Sequence, residues 1–363
     1  MEKKIKPEEQ YFRKTLLHWN DNHNHRQMPW KNETNPYKIW LSEIILQQTR
    51  VEQGWQYYLN FIAAFPTVQD LAAAKDEAVF KLWEGLGYYS RCRNLLATAR
   101  IICSQYKGQF PNEYEKIIAL KGIGPYTAAA IASFAFGLSH AVVDGNVYRV
   151  IARYYGITTP TDNNTGKKQF LELANRLIDP KRPGNYNQAI MDFGATVCKP
   201  ALPVCETCPL AGKCVALKAG TIDKLPVKEK KLQIKNRNIN FIVAIYQQKV
   251  YTCTRPAGDI WHNLNAFIEW ETNTAIDTIT AELQPQIATL IGTKSFKIVS
   301  ISGIIKQTLT HQRISGRFIT IHLNNPLREK QWYATPISRL STLSFPKFIH
   351  TYLQENNVSL NLL

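Results

Sequence analysis

Apolar residues recur at intervals of three and four through Ile39 to Leu46, Val79 to Leu86, Ile117 to Ile131 and Val147 to Ile151. That spacing puts each set on one face of a helix, and short polar breaks such as PTDNNTG (160–166) separate them. Residues 1 to 216 therefore read almost entirely as helix. The pattern lapses over KAGTIDKLPVKEKKLQIKNRN (218–238), a basic, proline-containing stretch with little periodicity. Beyond it, INFIVAIYQQKVYTCTR, FKIVSISGIIKQTLTH and ISGRFITIHL are rich in β-branched and aromatic residues and suit the strands of a mixed sheet. The pattern predicts a multidomain chain: an all-α domain over 1–216, a linker over 217–237 and a smaller α/β domain over 238–363. No internal repeat is present.

One junction carries more than packing. In LKGIGPYTAAA (120–130) a helix ends near Leu120, a turn runs through Gly122, Ile123 and Gly124, and a second helix opens at Pro125. Proline at a first helical position loses nothing, because its missing N–H would be unpaired there anyway. The glycines permit positive φ and let another backbone or a phosphate come close. Such a turn points free amides and the positive end of a helix dipole outward, which suits an anionic oxygen. A plain helical hairpin is the competing reading.

Charge agrees with an anionic partner. Lys plus Arg number 44 and Asp plus Glu 28, a net of +16 over 363 residues. Before residue 238 there are 33 basic and 21 acidic residues, and after it 11 and 7, so the helical part holds +12 and the remainder +4. Nucleic acid is the natural counterpart of such an excess. No stretch approaches 18 consecutive apolar residues and MEKKIKPEEQ lacks an apolar core, so no membrane association is expected and the chain is placed in the cytoplasm. Nothing suggests self-association, and a monomer is the default.

Of seven cysteines, Cys92, Cys103 and Cys253 are scattered, as small buried residues would be. Cys198, Cys205, Cys208 and Cys214 fall in the pattern C-x6-C-x2-C-x5-C. Four thiolates so closely spaced point to a metal centre in a reducing compartment. Zinc and an iron–sulfur cluster both accept that donor set.

Several stretches taken together, MPWKNETNPYKIWLSEIILQQTRVEQ, WEGLGYYSRCRNL, LKGIGPYT, VVDGNVYRV, NQAIMDFGATVC and the cysteine pattern, closely resemble the adenine DNA glycosylases of the helix-hairpin-helix superfamily. Those enzymes remove adenine mispaired with 8-oxoguanine. A base inside a duplex is unreachable, so it must be extruded into a pocket. Breaking its glycosidic bond needs a proton for the departing base and negative charge beside an oxocarbenium-like sugar. Glu43, among Ile39, Trp40, Ile44 and Leu46, has the apolar setting that raises a carboxyl pKa. The resemblance implies that Glu43 protonates adenine N7 and then handles the water. Asp144 directly precedes a glycine and a predicted helix start, and from composition alone it reads as a helix N-cap. The resemblance makes it instead the anion facing the sugar C1′, with Asn146 orienting it. Tyr126 stands where related bifunctional enzymes resembling endonuclease III carry a Schiff-base lysine, which implies base removal without efficient strand cleavage.

The same matching implies that Arg26, Trp30, Leu46 and Gln188 line the base pocket. Gln188 replaces an acidic residue of some relatives. Lys31 stands where many relatives have arginine, a loss of a bidentate fork. Gln48, Thr49 and Tyr88 match residues that enter the stack beside 8-oxoguanine, and an aromatic wedge suits that task. Gly122, Gly124, Arg91 and Lys199 are implied phosphate contacts, the glycines with a monovalent cation at the hairpin. The four cysteines match a [4Fe-4S] loop. GDIWHNLNAFIEWET (258–272) resembles the Nudix-like domain of these enzymes without the R-E-x-x-E-E run that holds Mg²⁺, so binding rather than hydrolysis is implied. Where relatives read F-S-H to check for 8-oxoguanine, this chain has Leu309, Thr310 and His311. The implied partner is double-stranded DNA carrying A:8-oxoguanine or A:G mispairs, in the nucleoid of a bacterium. A bifunctional pyrimidine or mismatch glycosylase with lyase activity, and a non-catalytic DNA-binding scaffold, are the alternatives.

Overall fold

The computed structural model describes residues 5–229, 234–274, 276, 283–309, 311–328 and 331–355. The expected helical run becomes α1 (Pro7–His23), α2 (Pro36–Leu46), α3 (Val51–Ala64), α4 (Val68–Ala73), α5 (Asp76–Trp83), α6 (Tyr89–Gln105), α7 (Tyr114–Ile118), α8 (Pro125–Phe136), α9 (Gly145–Tyr155), α10 (Asn164–Leu177), α11 (Pro183–Thr196) and α12 (Val215–Lys218). Local chemistry sets several ends. Proline opens α1, α2, α8 and α11, where its fixed φ is already helical. Asn35 caps α2 by accepting from the Tyr37 and Lys38 amides. Gly137 and Gly156 close α8 and α9 in the left-handed conformation.

Two compact units divide the chain. The first falls within Met1–Ala73 and Arg93–Lys231, the second within Ala74–Cys92 and Leu232–Leu363. At the centre of the first lie α2, buried from Ile39 to Ile45, and α8, buried from Thr127 to Ser133. Helices buried this fully need neighbours on all sides. They pack on each other, and α11 packs on α1, α8 and α9. Trp19 meets Phe193 edge to face at 5.0 Å in the core beneath.

In the second unit the long strand β1 (Lys235–Tyr246) is the spine. It pairs antiparallel with β4 (Ile268–Thr272) and β2 (Lys249–Thr254) on one side. On the other it runs parallel first to β7 (Gln312–Gly316) and then to β8 (Phe318–Leu323). The handover needs Gly316: a Cβ there would lie 1.8 Å from the Ile239 carbonyl oxygen. The sheet is completed by β3 (Asn265–Ala266), β5 (Phe296–Ile301), β6 (Ile305–Thr308) and β9 (Tyr333–Pro336). Ile287 and Ile291 of α13 (Leu283–Ile291) join its core, while Tyr352 of α14 (Lys347–Glu355) stacks on Phe318 at 3.9 Å. Trp261, Leu264 and Phe267 of the GDIWHNLNAF stretch are buried there.

Two boundaries differ from the sequence expectation. Residues 74–92, inside the expected first domain, pack in the second unit. Lys81 donates to the Leu343 carbonyl, and Glu84 accepts the Phe345 amide at 3.0 Å. Much of the expected linker is not free either. Leu225 is buried in the helical core, Arg153 donates to the Ile222 and Leu225 carbonyls, and the Thr161 amide donates to Val227. Buried apolar and hydrogen-bonding partners outweigh the linker-like composition as far as Glu229. Residues 230–233 lie outside the described residues.

Candidate active site

Four helices of the helical unit and two connecting segments converge on a cavity of about 610 Å³. From α2 comes Glu43, from the first turn of α8 Tyr126, from the start of α9 Asp144 and Asn146, and from α11 Gln188 and Met191. Arg26 and Trp30 enter from the segment between α1 and α2, and Leu46, Gln48 and Thr49 from the end of α2 and the turn after it. Ten residues singled out from sequence thus share one wall system. Ser42 and Met191 join them without having been anticipated. Both read as ordinary helix-interior residues in the sequence.

The two carboxyl groups have opposed surroundings. Glu43 is 8% exposed, and burial, with some repulsion from Asp144, pushes its pKa up to about 7 against the pull of a hydrogen bond from Tyr126. Asp144 accepts the Val147 amide at 2.8 Å and the Asn146 Nδ2 at 2.7 Å. Burial raises its pKa as well, but those hydrogen bonds and the Arg149 charge hold it back. One acid is therefore suited to hold a proton near neutrality and the other to remain ionised. Asp144 is also the N-cap of α9, so the capping role read from composition and a place in the cavity are both realised. Burial and the two carboxylates keep the Tyr126 phenol far above its ordinary pKa, hence protonated.

Arg149, unremarked in the sequence, ties this corner together. It donates to the Asn146 Oδ1 and the Gly194 carbonyl at 2.7 Å each, and to the Cys198 carbonyl at 2.7 Å. Arg153 continues the chain of contacts to the Lys199 and Pro200 carbonyls and to the Cys198 Sγ at 3.5 Å. Their i, i+4 spacing on α9 was the available signal.

Other expected site residues lie elsewhere. The Lys31 ammonium donates to the Arg26 carbonyl at 2.7 Å, behind the cavity wall rather than on it. Gly122 has φ of +77°, and a Cβ there would lie 2.6 Å from that of Asn94, whereas Gly124 has open space around it. Tyr88, 44% exposed with φ of +49°, belongs to the second unit. Arg91 was expected to meet a phosphate. It is buried, donating to the Gly87 carbonyl with its guanidinium over the Trp83 and Tyr88 rings, and so braces the Tyr88 turn. Leu309 and His311 sit at the tip of the β6–β7 hairpin, where the Leu309 amide donates to Gln312. Thr310 lies outside the described residues. Lys199 is half-buried.

A family model described as the HhH-GPD superfamily of base excision DNA repair proteins matches residues 41–176. Over 261 residues the chain is 36% identical to the adenine DNA glycosylase of Buchnera aphidicola subsp. Schizaphis graminum, covering 72% of this chain and 75% of that one. This chain belongs to the adenine DNA glycosylase family. The human adenine DNA glycosylase is 44% identical over 214 residues, 56% of this chain and 39% of that one. Among solved structures, a thermostable thymine-DNA glycosylase matches with 30% identity and a TM-score of 0.54, covering 58% of this chain and 97% of that one. An endonuclease III trapped on DNA matches at 21% identity and a TM-score of 0.50, with 58% of this chain and 98% of that one covered, a likeness of fold alone. The protein is accordingly a DNA glycosylase that hydrolyses N-glycosidic bonds in base excision repair.

The glycosylase's four loop cysteines offer an all-sulfur donor set. Cys198, Cys208 and Cys214 pack against the helical core, and Cys198, Cys205 and Cys214 all perturb the Cys208 thiol electrostatically, so the four share one neighbourhood. Among the described residues no three such side chains are gathered tightly enough for a single ion. An all-sulfur donor set facing Arg153 fits an anionic iron–sulfur cube. Also among the described residues, no helix is long and apolar enough to cross a membrane.

Proposed function

We propose that this glycosylase removes adenine mispaired with 8-oxoguanine, or with G, and does so without cleaving the strand. The observation that carries the reading is that one cavity holds Glu43, pushed by burial toward its protonated form, and Asp144, whose rise is held back by Val147, Asn146 and Arg149, beside a phenol where a lyase needs an amine. With the adenosine extruded into the cavity, the Glu43 carboxyl gives its proton to adenine N7. The C1′–N9 bond then breaks and its electron pair leaves with the base. The Asp144 carboxylate, held by Val147 and Asn146, faces the positive charge left on the sugar. Water adds at C1′ and loses a proton to the Glu43 carboxylate, which restores the acid. Tyr126 stays protonated and has no amine with which to form a Schiff base.

The polyanion contact is assigned to the basic helical unit, with Gly122 and Gly124 at the hairpin, and the stacking wedge to Tyr88 of the second unit. Leu309, Thr310 and His311 are assigned to reading 8-oxoguanine, and Cys198, Cys205, Cys208 and Cys214 to holding a [4Fe-4S] cluster, which supplies a rigid cross-link for the loop bearing Lys199. The deciding experiment is single-turnover release from duplexes carrying one A opposite 8-oxoguanine, G or T, with and without alkali. Breaks that appear only after alkali, fastest opposite 8-oxoguanine, are expected. Breaks without alkali, or loss of a pyrimidine, would favour the bifunctional alternative.

The hairpin glycines give a separate prediction. Gly122→Ala must strain a positive φ and displace Asn94, so it is expected to cost about 1–2 kcal/mol of stability in denaturant melts. Gly124→Ala meets nothing within the protein and should leave stability unchanged within ~0.5 kcal/mol while weakening binding to duplex DNA. Equal behaviour of the two variants in both assays would remove Gly124 from the phosphate contact.

A further inference from the structure

Asp192 has no exposed surface, and a buried carboxylate is costly unless cations and donors surround it. Among the described residues its side-chain partners come from the segment between α1 and α2. Arg26 Nη1 lies 2.7 Å from Oδ1, Asn24 Nδ2 donates to Oδ2 at 2.9 Å, and Lys31 Nζ is 3.8 Å from Oδ2. That segment brings Arg26 and Trp30 into the cavity and has no helix of its own to hold it. Asp192 is on α11, one turn beyond Gln188 and next to Met191, both of which line the cavity. It touches the wall only from behind.

We propose that Asp192 is a positioning residue for base recognition: its buried carboxylate fixes the Arg26 guanidinium in the cavity wall and so sets the plane in which Arg26 meets the extruded base. The inference rests on adenine entering this cavity. Arg26 remains 26% exposed, so one edge of its fork is taken by Asp192 while other N–H groups stay available to a ligand. The pairing also balances the Arg26 charge, which suits the cavity to a neutral purine better than to a second phosphate. Lys31 contributes by closing the loop on the Arg26 carbonyl, a task that needs a single cation and no bidentate fork. That accounts for a lysine at this position.

The test is a double-mutant cycle in the full-length protein, read by single-turnover adenine release opposite 8-oxoguanine and by the Kd for the same duplex. Asp192→Asn is expected to slow release by about 10–100-fold, because loss of orientation alone reaches that size, with Kd changed less than about threefold. In an Arg26→Gln background the same substitution should add nothing further. Asp192→Glu, which keeps the charge, should recover part of the rate. If Asp192→Asn is too unstable to assay, Asp192→Glu carries the same cycle. A loss that adds in full to that of Arg26→Gln, or no loss, overturns the inference. Wild-type protein in the same assay separates the two claims: if it releases no adenine, the proposed function fails and takes this inference with it, whereas release by both wild type and Asp192→Asn at equal rates sinks Asp192 alone.

Discussion

Glu43→Gln is expected to reduce adenine release by about 10²–10⁴-fold, the range over which a positioned general acid acts, while duplex affinity stays close to normal. The amide matches the carboxyl in shape and cannot surrender a proton. Because Glu43 titrates near 7, the wild-type single-turnover rate should fall as pH rises through that value. Stability carries the same signature with its sign fixed by linkage. A carboxyl whose folded pKa lies above its unfolded value near 4.5 binds its proton more tightly when folded. Stability is therefore highest below 4.5 and is lost as pH rises to about 7. A rise from 4.5 to about 7 corresponds to roughly 3 kcal/mol between those limits. Glu43→Gln removes that loss, so the variant should gain on the wild type by about this amount in melts at pH 8 compared with pH 4.5. A variant that still releases adenine at a substantial rate, or a stability difference flat in pH, would dismiss the buried-acid assignment.

Asp144→Asn separates two tasks that coincide in one side chain. Asn is as good an N-cap as Asp and can still accept from the Val147 amide, so α9 and the melting temperature should be little changed. Its lost charge should nevertheless lower single-turnover release by about 10²–10³-fold, as removal of one preorganised electrostatic group commonly does. Unchanged rates would leave Asp144 as a helix cap and nothing more. A large fall in melting temperature would show that ionisation of this carboxylate supports the fold.

Much of this was legible in the chain because the signals are local. The opening of α8 follows from Gly124 and Pro125, and the high pKa of Glu43 from the apolar residues one turn either side. The strands follow from their β-branched runs. Asp192 was not legible: in IMDFGA it is a lone acid on an apolar helix, and Arg26, the cation that justifies it, is 166 positions away in sequence. Arg91 was not legible in full either. The resemblance implies a phosphate contact, while its engagement with Trp83, Tyr88 and the Gly87 carbonyl depends on the fold of the turn. The 217–229 stretch has the composition of a tether, and distant partners such as Arg153 and Thr161 reveal that it is docked.

The membership of residues 74–92 in the second unit bears on how the chain is made. Ribosomes deliver the polypeptide from its N-terminus, and early segments fold as soon as their partners emerge. For α5 and the turn that presents Tyr88, those partners include Leu343 and Phe345, about 260 residues downstream. At roughly 5–20 residues per second, Lys81 and Glu84 wait on the order of tens of seconds for these partners. During synthesis the nascent chain therefore carries an unfinished wedge until Leu343 and Phe345 have emerged, and docking of this stretch is a late event in folding.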